Sequence, residues 1–119
     1  MSQDTTTYLR IRREDGVAVV NFLTPYLQTE DVIQRVAVEL SRLVEEEGFT
    51  KVLLSFSGVR FLSSSMLAQM VKLQKKLTKV KGRVRISALP PAMKDVMHIS
   101  QLDRMLEVFD DEAEALVAF

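Results

Sequence analysis

Apolar residues along this chain follow two rhythms, one of period two and one of period 3.6, and the switches between them mark out the elements. Tyr8-Leu9-Arg10-Ile11-Arg12 alternates, and Val17-Ala18-Val19-Val20-Asn21-Phe22 does so less cleanly. Glu14-Asp15-Gly16 between them carries an Asp-Gly turn signal, so a β-hairpin is expected. Leu23-Thr24-Pro25-Tyr26-Leu27 reads as a loop, because Pro25 lacks the N–H of a central strand and biases Thr24 away from helical angles. Thr29 then fits the cap of a long helix. Val32, Val36, Leu40, Leu43 and Val44 recur at three- and four-residue steps, Glu30 and Asp31 sit where the helix dipole favours anions, and Gly48 closes the end.

Residues 52–56 form a short apolar run, too uniform for a half-exposed strand and suited to one covered on both faces of a parallel sheet. Gly58 punctuates its end. Ser63-Ser64-Ser65 stands directly before Met66, Met70, Leu73, Leu77 and Val80, whose helical spacing gives the next helix a buried stripe and makes one serine its N-cap. Beyond a Lys81-Gly82 turn come a short strand at Val84-Arg85-Ile86 and a helix opened by Pro90-Pro91, with Ala92, Met93, Val96 and Met97 on its apolar face. Leu106-Glu107-Val108-Phe109 reads as a last strand. Asp110-Asp111 caps a terminal helix, with Glu114 placed as in a capping box and Ala115, Leu116 and Phe119 available to pack. The order predicts one α/β domain over residues 1–119, flexible at 1–7. An N-terminal β-hairpin feeds a mixed, mostly parallel sheet of about four or five strands flanked by about four helices.

Composition narrows the function classes. At 119 residues the chain has room for one core, and 47% hydrophobic with 27% charged residues is ordinary for a soluble domain. No apolar run nears the ~20 residues of a membrane span, and the N-terminus lacks the layout of a signal peptide, so a cytoplasmic location is expected. Zero Cys excludes disulfides and thiolate chemistry. A net charge of +0 gives no overall field for nucleic acid or an anionic membrane, so neither is expected as a partner. The charges are nevertheless uneven. No Asp or Glu lies between Glu47 and Asp95, and that gap holds Lys72, Lys75, Lys76, Lys79, Lys81, Arg83 and Arg85. The four helical lysines fall on the side away from the apolar stripe, as a solvated face or as a surface for an acidic partner.

The triple serine admits a plain reading, since a capping hydroxyl alone contributes about 1 kcal/mol and explains its place. Phe61-Leu62-Ser63-Ser64-Ser65-Met66-Leu67-Ala68, preceded by Leu54-Ser55-Phe56-Ser57-Gly58-Val59, also resembles the signature of the STAS domain family, the anti-sigma factor antagonists. Leu89-Pro90-Pro91 and the segment from Leu102 to Asp110 are similar to later parts of that family, so the likeness runs from about Tyr8 onward. The family pattern is Phe, an aliphatic residue, Asp-Ser-Ser-Gly-Leu-Gly at a helix start, with the first Ser of the pair phosphorylated by a partner kinase. The resemblance implies Ser64 for that role, with Ser63 and Ser65 as neighbours in register. The chain departs from the pattern at Ser63 for the acid and at Met66 and Ala68 for the glycines, and has Pro25-Tyr26-Leu27-Gln28 where Gly-Glu-Leu-Asp is frequent.

What the resemblance implies is a non-catalytic interaction module. It would bind an anti-sigma factor, a serine kinase or a signalling scaffold, and serine phosphorylation would switch it. Tyr26, Leu27, Ser63, Ser65 and Met66 are the candidate partner contacts, although the spacing of Met66 and Met70 also suits core. The alternative is a STAS-like module that binds a small ligand or self-associates without phosphorylation. Catalysis has little support: the single His98 lies far along the chain from the serines, and no G-x-S-x-G context surrounds any of them. One His and no Cys leave few zinc ligands, and the four glycines form no phosphate loop, so no metal or cofactor is expected.

Overall fold

The structure is a computed structural model that describes residues 8–119; the flexible segment expected at 1–7 lies outside the described residues. Strands β1 (Leu9–Glu14) and β2 (Val17–Phe22) form the expected hairpin, paired antiparallel from Leu9↔Phe22 to Glu14↔Val17. Asp15 and Gly16 turn it with φ of 50° and 82°, the left-handed pair that a two-residue hairpin turn demands. The chain then builds α1 (Glu30–Glu45), β4 (Lys51–Ser55), α2 (Ser64–Thr78), β6 (Arg83–Ser87), α3 (Pro91–Ile99), β7 (Glu107–Phe109) and α4 (Glu112–Leu116). The main sheet has five strands in the order β1-β2-β4-β6-β7, and every pair after the hairpin is parallel. This is the mixed, mostly parallel sheet with four α-helices that the pattern predicts.

Alternation along the strands sorts the side chains onto two faces. Ala18, Val20, Val52, Leu54, Val84 and Ile86 point into a core closed by Ile33, Val36 and Leu40 of α1, Met66, Met70 and Leu73 of α2, and Met93 and Met97 of α3. On the opposite face Val17, Val19 and Leu53 meet Ala115 of α4, with Phe109, Leu116 and Phe119 partly buried around them. β4 is thus covered on both faces, as its uniform apolar run requires.

Several local expectations shift. The loop expected at Leu23-Thr24-Pro25-Tyr26-Leu27 contains a two-residue strand, β3 (Tyr26–Leu27), because backbone groups beyond Pro25 find partners in β5 (Phe61–Leu62). Ile33 rather than Val32 fills the first buried position of α1. α2 stops at Thr78, so Val80 lies past its end and is exposed. Ala92 and Val96 face solvent, which leaves Met93 and Met97 to anchor α3. Asp111 caps α4 as expected, accepting the Glu114 N–H at 2.8 Å, whereas the Glu114 carboxylate accepts from Asp110 one residue too early for a closed capping box. The helical lysines do not all face away from the packed side: Lys72, Lys75, Lys76 and Lys79 border a groove between α1 and α2.

Candidate functional site

The connection from β4 to α2 is short, and several of its backbone N–H groups are tied down. Phe56 donates its N–H to the Ser87 carbonyl at 2.9 Å, holding the strand end against its neighbour. Gly58, at φ 85°, lets the chain reverse, and Val59 N–H closes that turn on the Phe56 carbonyl at 2.9 Å. Arg60 and Phe61 then both donate to the Pro25 carbonyl, at 2.8 and 3.2 Å, and Ser63 N–H reaches the Leu27 carbonyl at 2.9 Å. The two-residue ladder between β3 and β5 therefore works as a clamp that fixes where α2 begins.

Of the three serines, Ser63 is the cap. Its backbone is extended, at φ −81° and ψ 168°, and its hydroxyl accepts the Met66 N–H at 3.4 Å while its carbonyl accepts Met66 and Leu67 N–H at 3.0 and 3.2 Å. Ser64 and Ser65 are the first helical residues, both exposed, and neither hydroxyl has a hydrogen-bond partner among the described residues. The free amides of this first turn and the positive end of the dipole favour negative charge here. No acidic residue sits in the first turn of α2, and exposed Arg60 lies just ahead of it without a charge partner among the described residues. The local field at the Ser64 hydroxyl therefore suits negative charge.

The five candidate contact residues divide. Tyr26 is 48% exposed, and Ser63 and Ser65 stay at the surface. Leu27 and Met66 do not: both are fully buried, Leu27 beside Leu62 beneath the clamp and Met66 at the top of the α2 stripe. Their side chains support the site from below and are withdrawn from any partner. In their place the structure adds Phe61, 44% exposed and in register with Tyr26, so two aromatic rings stand side by side on the outer face of the clamp. The signal was present as two matching aromatic-Leu dipeptides, Tyr26-Leu27 and Phe61-Leu62, that alternate outward and inward once paired.

His98, at the far end of α3, is well exposed and bonds Asp103 at 3.2 Å. Among the described residues no three His, Cys, Asp or Glu side chains converge as metal ligands, and no helix is long and apolar enough to cross a membrane.

A family model for the STAS domain matches residues 8–115. The fold is similar to that of an anti-sigma-factor antagonist (STAS) domain protein from Planctomyces limnophilus, at TM-score 0.81 and 22% identity over 92% of this chain and 96% of that one. It is similar also to an anti-sigma factor antagonist from Mycobacterium paratuberculosis, at TM-score 0.78 and 22% identity, covering 92% and 91%. A third likeness is to the Bacillus cell fate determinant SpoIIAA in its phosphorylated form, at TM-score 0.71 and 19% identity, covering 91% and 96%. No curated protein sequence matches the chain.

Proposed function

The chain belongs to the STAS domain family, and we propose that within it this protein is an anti-sigma factor antagonist: a non-catalytic cytoplasmic module that binds an anti-sigma kinase or a signalling scaffold and is released when Ser64 is phosphorylated. The observation that carries this reading is the placing of Ser64. It is exposed at the first position of α2, its hydroxyl has no hydrogen-bond partner among the described residues, and it lies three residues after Phe61 of an outward-facing aromatic pair. Aromatic rings of this kind are typical anchors of protein interfaces.

The departures from the family signature are compatible with the switch. Ser63 caps α2 as an aspartate would, and it leaves the helix start one negative charge poorer, which lowers the repulsion a phosphate meets. Met66 sends its bulk into the core, so it does not stand between the serine and a docking partner. Phosphorylation adds about −1.5 to −2 charge at a helix start that tolerates it, so the fold persists while a docked face is repelled and desolvated. Each 1.4 kcal/mol lost there weakens binding about tenfold.

Incubation with ATP and the anti-sigma kinase from the same genome tests the reading. Mass spectrometry is expected to place one phosphoryl group on Ser64, absent in Ser64→Ala and retained in Ser65→Ala, and Ser64→Asp is expected to weaken kinase binding at least about tenfold. Absence of label on Ser64, or full binding by Ser64→Asp, overturns it.

A further inference from the structure

α2 has a second surface at its other end. Along the C-terminal half of the helix, a groove of about 680 Å³ runs between α2 and α1. Its floor is apolar, built by Leu40 and Val44 of α1 and Leu73 of α2, and Val80 stands exposed at its margin. Along the α2 side lie Lys72, Lys75, Lys76 and Lys79. Among the described residues Glu45 is the one carboxylate lining the groove, and it is already paired with Lys76 at 2.5 Å. Lys72, Lys75 and Lys79 have no carboxylate partner among the described residues.

The dipole at the end of α2 accounts for cations in its last turn, but not for their convergence on an apolar trough shared with a second helix. We infer that this groove is a docking site for an acidic amphipathic helix of a protein partner. The lysines fall at i, i+3, i+4 and i+7, one stripe of about 10 Å, and a helix laid in the groove presents its own carboxylates at the same repeat. Its apolar side covers Leu40, Val44 and Leu73, in the helix-in-groove manner. The groove is about half open to solvent, so a fatty acyl chain lying in it keeps part of its surface in water, which argues for the broader occupant. Nucleic acid fits less well, since Glu45, Glu46 and Glu47 end the α1 side. Lys72 lies eight residues from Ser64, about 12 Å along the axis and beyond the Debye length of about 8 Å at physiological salt, so occupation of the groove is expected to be independent of the state of Ser64.

The probe is an 18-residue amidated peptide of Leu, Ala and Glu, with a leucine stripe on one helical face and a glutamate row beside it. Titration into the ¹⁵N-labelled protein is expected to shift amides of residues 37–45 and 69–80. Lys72→Glu, Lys75→Glu and Lys79→Glu together are expected to weaken the probe at least about tenfold, and salt at about 0.5 M to do likewise. Glu45→Gln, which frees Lys76, is expected to tighten it severalfold, and Ser64→Asp to leave it unchanged. The inference is overturned if the probe shifts no groove amides, if its affinity survives the triple charge reversal, if a peptide with Gln for every Glu binds equally well, or if dodecanoate rather than the peptide shifts these amides.

Discussion

The two faces of the sheet are held by different physics. On the side of α1, α2 and α3, strand residues such as Val20, Leu54 and Ile86 enter a continuous apolar core that reaches from Leu9 to Leu106. Burial of this kind is non-directional and redundant, each side chain touching many others. On the other side the apolar cluster has four buried residues, Val17, Val19, Leu53 and Ala115, and its cover is α4, five residues long and too short to be helical on its own. Directed contacts take over there. Arg85, only 8% exposed, donates to the Ala115 and Val117 carbonyls at 2.9 and 2.8 Å and to Glu107 at 2.8 Å, and its guanidinium lies over the rings of Phe109 and Phe119. Arg12 adds an ion pair to Glu112. One face carries stability in bulk, whereas the other is fastened by a few polar contacts.

The largest break in that comparison is expected from Phe56→Ala. Phe56 is fully buried at the end of β4, where the site connection begins, and stacks on Phe22 at 4.8 Å between centroids. Truncation is expected to cost about 3–5 kcal/mol, with fluorescence and circular dichroism losing structure together in urea. A loss under about 1 kcal/mol means that the face does not act as one close-packed core.

Arg85→Met is expected to cost less, about 2 kcal/mol, because the apolar stem is kept while the two carbonyls lose a charged donor. Its signature is local. Amide exchange is expected to accelerate at residues 112–119 while α1 and α2 keep their protection, since α4 has little apolar area of its own to hold it. Uniform loss of protection across all four helices refutes a separately fastened cover.

This division also explains what the sequence disclosed. Period-2 and period-3.6 patterns report apolar burial, so the hairpin, β4, α1, α2 and a cap within the triple serine were legible; which serine caps was not, and Ser64 was singled out by the family resemblance alone. Arg85 was not legible. In sequence it reads as one more cation in a basic stretch, because only a partner some thirty residues away shows that it is buried. β3 was hidden for a related reason, since its two residues are a strand only because β5, distant in sequence, supplies the ladder. Leu27 and Met66 were candidate contacts for a partner because position in a motif does not say which way a side chain points. Phe61 was missed by the same blindness.

The smallest effect is expected where the two sides meet at the β7 edge. Lys94 of α3 pairs at 2.5 Å with Asp110, which leads into α4, and its hydrogen bond, with a further contribution from its charge, holds the Asp110 carboxyl below the usual carboxylate range. A carboxyl whose pKa is lower in the folded than in the unfolded chain stabilises the fold at pH above its unfolded value, and that contribution disappears as pH falls through its folded value. The pair is solvent-exposed, so the contribution at neutral pH is slight. Lys94→Met is therefore expected to move the Asp110 titration, followed by carboxyl ¹³C shifts, up toward the ordinary value while leaving neutral-pH stability nearly unchanged. Equal loosening of residues 112–119 by Lys94→Met and by Arg85→Met would place the fastening of α4 at the exposed rim; protection retained in the first and lost in the second keeps it at the buried guanidinium.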